Sequence, residues 1–166
     1  GMKHKNELQG YLVRHIEQFL RERGKTVIGW DEILETGLPE QAVVMSWRGT
    51  PGGVKASAEG HDVIMSPNSY VYLDYYQDLI RKEPKAVGHM QSLRHVYKYD
   101  PLEGIDPEFH HHILGLQGNL WCELIPYAAH AEYMLYPRAF AIAEIGWTPQ
   151  EKREFFHFRE RCLTLI

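Results

Sequence analysis

Apolar residues recur every three or four positions near the start of the chain, and polar residues fill the positions between them. This period is that of one face of an α-helix, and Gly24 stands where such a helix would end. The sequence therefore begins with a predicted amphipathic helix, whose inner positions are Leu8, Tyr11, Leu12, His15, Ile16, Phe19 and Leu20.

Four short, continuously apolar runs follow, and each is typical of a buried strand. They read KTVIGW (25–30), AVVMSW (42–47), DVIMSP (62–67) and ILGLQGNLW (113–121). A turn of helix is predicted within 31–42, a short helix at 53–60, and a long loop with helical pieces from Glu83 to Phe109.

Two further helices are predicted after the fourth run. The first is strongly apolar, covers 129–147, and should be kinked or restarted at Pro137, because proline cannot continue a helical hydrogen-bond ladder. We expect Trp147, at its end, to be a core residue. The last helix runs from about Gln150, with an inner side formed by Phe155, Phe158, Cys162 and Leu165.

Strands and helices thus alternate, and the strands are apolar on both faces. This pattern predicts a parallel sheet covered by helices, with functional loops after the carboxyl ends of the strands. Only four strands are visible, whereas a closed (β/α) barrel needs eight. The pattern leaves two architectures open, a small open α/β sheet and one half of a barrel.

Composition narrows the classes of function. The 166 residues suffice for one domain with its own core, and the net charge of −4 contains no block of like charges. We therefore expect neither a nucleic-acid surface nor a polybasic membrane patch. Two cysteines 40 positions apart predict no disulfide framework and no metal site. No apolar run reaches the roughly 18 residues of a membrane span, and no signal-peptide pattern is present.

Aromatic and acidic side chains meet at the ends of the predicted strands. The positions are Trp30, Trp47, the pair Tyr72 and Asp74, and the pair Trp121 and Glu123. An indole face packs on the C–H face of a pyranose, while a carboxylate accepts hydrogen bonds from hydroxyls. Any one of these tryptophans alone is more often a core residue. Four such positions on consecutive strands predict a sugar-binding site.

Three long stretches resemble a known family. They read ELQGYLVRHIEQFLRERGKTVIGWDEILETG, VVMSWRGTPGGVKASAEGHDVIMSPNSYVYLDYYQ and LGLQGNLWCELI followed by EYMLYPRAFAIAEIGWTP. Their order and spacing are similar to the second half of the catalytic domain of family 20 glycoside hydrolases, the β-N-acetylhexosaminidases. The resemblance implies a (β/α)8 TIM barrel, of which residues 1–166 would be a partial catalytic domain, the C-terminal half with strands five to eight.

The resemblance also implies a chemistry. Family members remove terminal N-acetylglucosamine or N-acetylgalactosamine with retention, through attack of the substrate's own 2-acetamido oxygen on the anomeric carbon. Applied to this sequence, Trp30 and Trp47 would wall the acetamido pocket and Trp121 would support the sugar from below. Tyr72 would donate its hydroxyl to the acetamido carbonyl, and Asp74 and Glu123 would bind hydroxyls at the far edge of the sugar.

One feature of the family does not occur here. The catalytic Asp-Glu pair of the family lies in a His-x-Gly-Gly-Asp-Glu motif at the end of strand four, and this sequence has no such motif. Asp31 and Glu32 follow Trp30 in the family's GWDE and are expected to have a structural role. The general acid and the upstream sugar-binding arginine are therefore expected in a missing N-terminal half of the barrel, and this chain alone should be inactive.

Weaker signals receive simpler interpretations. We expect His110–His112 to be a solvated turn before the fourth strand and not a metal site, since no acidic or cysteine partner lies at ligand spacing. Arg48 is expected to bridge carboxylates at the strand ends, and Cys122 to face away from Trp121 and pack. No cofactor is expected.

Two functional hypotheses remain from the sequence. The first is part of a retaining β-N-acetylhexosaminidase; the second is a non-catalytic carbohydrate-binding or assembly module derived from the same barrel. An unrelated α/β protein would leave the aromatic positions unexplained. A barrel cut in half would expose strand edges, which predicts a homodimer of half barrels. The resemblance implies secretion or a periplasmic location.

Overall fold

A computed structural model describes residues 4–165, which form two compact units. The first unit contains the described residues up to Pro67 together with Leu102–Gly115. The second contains Asn68–Pro101 and the described residues from Leu116 onward.

The first unit carries the sheet. In chain order its elements are α1 (Lys5–Arg21), β1 (Ile28–Trp30), a 3-10 turn (Asp31–Glu35), β2 (Val43–Ser46), α2 (Pro51–Ala58), β3 (Val63–Met65), a second 3-10 turn (Pro107–His112) and β4 (Ile113–Leu116). The last residue of β4 falls within the second unit.

The four strands are arranged in the order β1-β2-β3-β4. β1 pairs with β2 and β2 with β3, both in parallel, and the register sets Trp30 opposite Met45 and Ser46 opposite Met65. One face of the central strands, with Val44, Val63 and Met65, is fully buried because α2 packs over it; a side chain on Gly53 would collide with Met65. Met45 and Ile64, on the other face, are half-buried. The predicted parallel sheet with a helical cover is confirmed.

The second unit is mainly helical. Its elements are a 3-10 turn (Ile80–Lys82), α3 (Leu93–Tyr97), α4 (Ala128–Leu135), α5 (Arg138–Trp147), a 3-10 turn (Gln150–Lys152) and α6 (Phe155–Leu163). Its core is a cluster formed by Val96, Tyr97, Ala141, Phe158 and Cys162. The predicted loop of 83–109 holds α3 and the beginning of the 3-10 turn Pro107–His112, which agrees with the expected helical pieces. Pro137 separates α4 from α5, as its missing N–H requires.

The predicted inner side of α1 is largely exposed, which corrects the sequence analysis. Leu8 is 59%, Leu12 56% and Phe19 54% exposed, whereas Glu17 is buried.

Further expectations from the sequence are corrected. Trp147 is 89% exposed, because it lies about 200° around α5 from the buried Ile145 at 3.6 residues per turn. Leu165 is 69% exposed, since α6 begins at Phe155 and ends at Leu163. The fourth strand ends at Leu116 and not at 121, so strand alternation does not reach Cys122, which is exposed.

Within 4–165, no helix is long and apolar enough to cross a membrane.

Candidate functional site

Trp30 and Trp47 stand at the carboxyl ends of adjacent strands in the first unit. Trp30 is the last residue of β1, and Trp47 directly follows β2. Their ring centroids are 6.4 Å apart and their planes meet at 79°, so the two partly buried indoles form an angled aromatic pair. Two apolar faces at nearly a right angle suit a small group with a methyl substituent.

Trp47 is held in place by the acidic pair that follows Trp30. Asp31 is 2% exposed, and its Oδ2 accepts the backbone N–H groups of Trp47 at 2.9 Å and Arg48 at 3.0 Å. Both Glu32 carboxylate oxygens accept the indole Nε1–H of Trp47, at 3.0 and 3.1 Å. The pair therefore fixes the backbone and the ring of this tryptophan, which is the structural role expected.

Arg48 bridges the neighbouring carboxylates, as the sequence predicted. Its Nε donates to Asp31 at 2.5 Å and its Nη1 donates to Glu35 at 2.8 Å. The hydrogen bonds to Glu35 and Asp31 raise the pKa of Arg48 above its ordinary value, so its guanidinium is charged at all practical pH values.

Tyr72 and Asp74 lie on a segment of the second unit that runs beside the chain after β4. Leu73 N–H donates to the Asn119 carbonyl at 2.6 Å, and Asn119 N–H donates to the Val71 carbonyl at 2.9 Å. This isolated parallel bridge of Tyr72 with Asn119 fixes both residues, which are buried. The Tyr72 ring packs edge-on against Tyr75, with centroids 5.7 Å apart.

The Asp74 carboxyl lies next to Trp121 and Glu123. It is 4% exposed, and burial raises its pKa, while its own backbone N–H and that of Trp121 lower it and the charge of Glu123 raises it. Asp74 Oδ1 has no hydrogen-bond partner within the described chain. A buried acceptor without a partner is a candidate to accept a hydrogen bond from a ligand hydroxyl.

These side chains line a small pocket with a cavity volume of about 10 Å³, bounded by Asp74, Trp121, Glu123, Lys85 and His130. A cavity of this size holds about one water molecule, so the pocket suits a single hydroxyl group at the edge of a larger ligand. Trp121 is 43% exposed and offers its ring to solvent at the pocket wall.

Sequence reasoning missed several residues of this region. Lys85 belongs to the predicted loop, yet Val87 nearby pairs with Tyr75 and brings this segment to the pocket. His130 and Arg138 are buried within helices that were read as simply apolar. Arg138 is the only basic charge of the apolar run 129–147, and this was the available signal, because fully buried arginines are rare.

The histidine run makes ordinary contacts. His110 Nε2 lies 3.0 Å from the Ile105 carbonyl, and His112 Nδ1 lies 3.1 Å from Asp62. Among residues 4–165, no three or more His, Cys, Asp or Glu side chains are arranged to hold a metal ion.

The geometry thus brings together two groups of the predicted site residues. Trp30 meets Trp47 in the first unit, and Asp74 meets Trp121 and Glu123 in the second, with Tyr72 two residues from Asp74. One group offers apolar walls and the other offers carboxylates beside an indole. Both are chemistries of carbohydrate recognition.

Comparison with known proteins agrees with this chemistry. Residues 1–150 match the family described as glycosyl hydrolase family 20, catalytic domain. A β-hexosaminidase of Porphyromonas gingivalis is 45% identical over 163 residues, which are 97% of this chain and 21% of that protein. A β-hexosaminidase of Vibrio furnissii is 35% identical over 88% of this chain and 24% of that protein.

The fold of this chain is also similar to that of solved family 20 structures. The structure of a family 20 exo-β-N-acetylglucosaminidase from Vibrio harveyi, in complex with N-acetylglucosamine, superposes with a TM-score of 0.85 at 32% identity. The match covers 99% of this chain and 27% of that one. The chain therefore spans about a quarter or less of the length of these relatives, and it belongs to glycoside hydrolase family 20 by its match to the family's catalytic domain.

Proposed function

We propose that the chain is part of a retaining β-N-acetylhexosaminidase and supplies the acetamido pocket and most of the sugar contacts. In this proposal it forms strands five to eight of the family's barrel. The remaining strands, with the catalytic Asp-Glu pair, come from sequence outside these 166 residues. The family match supports the reaction class, and the Asp74, Trp121 and Glu123 cluster is the structural observation that carries the proposal.

Each residue has a defined task in this reaction. Trp30 and Trp47 enclose the acetamido methyl group, so that the acetamido oxygen is held beneath the anomeric carbon. The Tyr72 hydroxyl donates to the acetamido carbonyl and steadies the attacking group. Trp121 stacks on the sugar face, and Asp74 and Glu123 accept hydrogen bonds from hydroxyls at the opposite edge, which favours a terminal N-acetylglucosamine or N-acetylgalactosamine.

The Asp-Glu pair would complete the reaction. The aspartate would orient the acetamido nitrogen, and the glutamate would protonate the leaving oxygen and then activate water. Such proton transfer typically contributes about 10² to 10⁴-fold to the rate. The chain of 166 residues should therefore bind the sugar weakly and hydrolyse nothing.

The test compares two proteins on p-nitrophenyl N-acetyl-β-glucosaminide and galactosaminide. The longer protein that contains this sequence should hydrolyse at least one of them, with retention observed by proton NMR of the first product. The 166-residue chain should not. Robust turnover by the purified 166-residue chain would contradict the proposal that the general acid lies outside it. An inactive longer protein with a folded barrel would favour the non-catalytic sugar-binding module.

A further inference from the structure

Arg138 is the first residue of α5 and is completely buried. A buried guanidinium is costly unless its donors are satisfied. Ion pairs of the described residues do not include one between Arg138 and a carboxylate. The charge is compensated by backbone carbonyl oxygens instead.

Four carbonyls accept hydrogen bonds from its Nη1 and Nη2, whereas its buried Nε has no partner among residues 4–165. Nη2 donates to Leu73 at 2.5 Å and to Met134 at 2.7 Å, while Nη1 donates to Tyr75 at 2.9 Å and to Gln91 at 3.2 Å. Leu73 and Tyr75 are the two neighbours of Asp74. A guanidinium is planar and its donors point in fixed directions, so one side chain fixes the backbone on both sides of Asp74.

The segment that carries Asp74 also makes hydrogen bonds at its start, at the carbonyls of Asn68 and Ser69. The Gln91 side chain donates to the Asn68 carbonyl, and His95 Nε2 lies 2.7 Å from the Ser69 carbonyl. Arg138 reaches the Gln91 carbonyl as well, so the start of α3 and the Asp74 segment share one anchor. Burial lowers the pKa of Arg138 to about 10, with the charges of Glu83 and Asp74 opposing that shift, which leaves it protonated at neutral pH.

We propose that Arg138 is a positioning residue of the sugar site, which holds the carbonyls of Leu73 and Tyr75 so that the Asp74 carboxylate meets sugar hydroxyls in one orientation. This inference rests on the proposed function. Arg138 touches no substrate; it acts through Asp74. Lysine cannot replace it, since a single ammonium group cannot span carbonyls on both sides of a residue.

The experiment uses the longer active protein and a double-mutant cycle. Arg138→Lys should lower kcat/KM by about 10- to 100-fold, a range typical of a displaced binding group. In an Asp74→Asn background the same change should cost much less, because the carboxylate that it positions is already gone. A purely structural role would give equal losses in both backgrounds.

Arg153→Met is the matched control, since Arg153 Nη1 donates to the Tyr99 carbonyl at 3.0 Å, away from Asp74. It should leave kcat/KM unchanged. Equal losses in the two Asp74 backgrounds, or an unchanged Arg138→Lys enzyme, would overturn the proposal. So would failure of Arg138→Lys to fold while the control folds. An inactive wild-type protein would instead refute the proposed function, so the two failures are distinguishable.

Discussion

Tyr72 is the residue through which the acetamido group would be activated, and it is buried beside Tyr75. Tyr72→Phe in the longer protein should lower kcat by about 10²-fold, as removal of one donor from a developing charge does, and change KM less. Steady-state kinetics on an aryl N-acetylglucosaminide measure both. Tyr70→Phe, two residues earlier in a stack with His95 and Tyr99, is the control and should keep its kcat. An unchanged kcat in Tyr72→Phe would remove it from the mechanism.

Asp74 links the site to stability through pH. Burial raises its folded pKa above the ordinary 3.8, so ionising it costs the folded state more than the unfolded state. The contribution of Asp74 to the free energy of unfolding of the wild-type chain should fall as the pH rises from the unfolded to the folded pKa of this group. The free energy of unfolding of Asp74→Asn minus that of wild type should therefore increase from pH 3 to pH 7, measured by urea titration. A difference that falls with pH would show that the carboxylate is stabilised on folding.

The Asp31→Asn variant tests whether the stability of the Trp47 region depends on the Asp31 carboxylate. Asp31→Asn weakens hydrogen bonds to Trp47 and Arg48 at a buried position, so the free energy of unfolding should fall by about 1.5–3 kcal/mol. Glu35→Gln breaks the other ion pair of the same arginine, but this carboxylate is exposed, and the loss should stay below about 1 kcal/mol. Similar losses in the two variants would contradict this distinction.

At the scale of elements, the backbone conformation of residues 85–88 and their packing on Tyr75 depend on Gly88. Gly88 has φ +73°, and a Cβ there would lie 2.5 Å from the Tyr75 ring. Gly88→Ala should therefore destabilise the chain by about 2–4 kcal/mol, from strain of the left-handed backbone plus the collision. Gly60→Ala is the matched control, because its φ is +83° with nothing within 4 Å of the added Cβ, and it should cost only about 1–2 kcal/mol. Thermal or urea unfolding compares them; equal costs would mean that Tyr75 moves aside freely.

The sequence predicted the elements better than their ends or orientation. Pro137 located the separation of α4 from α5. Apolar runs located β1 to β4, because strands of a parallel sheet are continuously apolar in sequence. The same property hid the orientation of α5: a helix apolar all round has no stripe to set its phase, and Trp147 was wrongly assigned to the core. Arg138 was missed for another reason. Its carbonyl partners Leu73 and Gln91 are 65 and 47 positions away, beyond any local period.

At the scale of the whole molecule, the sheet ends in two outer strands, β1 and β4. Ile28 in β1 is 52% exposed and Leu114 in β4 is 58% exposed. Unpaired edges with apolar side chains recruit further strands, so the 166-residue chain should form a homodimer or larger species. Light scattering behind a sizing column measures this, and Leu114→Lys should shift the distribution toward monomer. A wild-type monomer at micromolar concentration that binds no hydrophobic dye would contradict the expectation.

The angled pair of Trp30 and Trp47 also gives the protein an optical signature. Near-ultraviolet circular dichroism requires aromatic rings held in a fixed asymmetric setting and disappears when packing loosens. Trp30 and Trp47 meet that condition, with one indole bonded to Glu32, whereas Trp121 and Trp147 are both exposed. The tryptophan bands should therefore report mainly on the first unit. The folding of the first unit can be followed in solution without any added label, while far-ultraviolet dichroism follows the helices of both units.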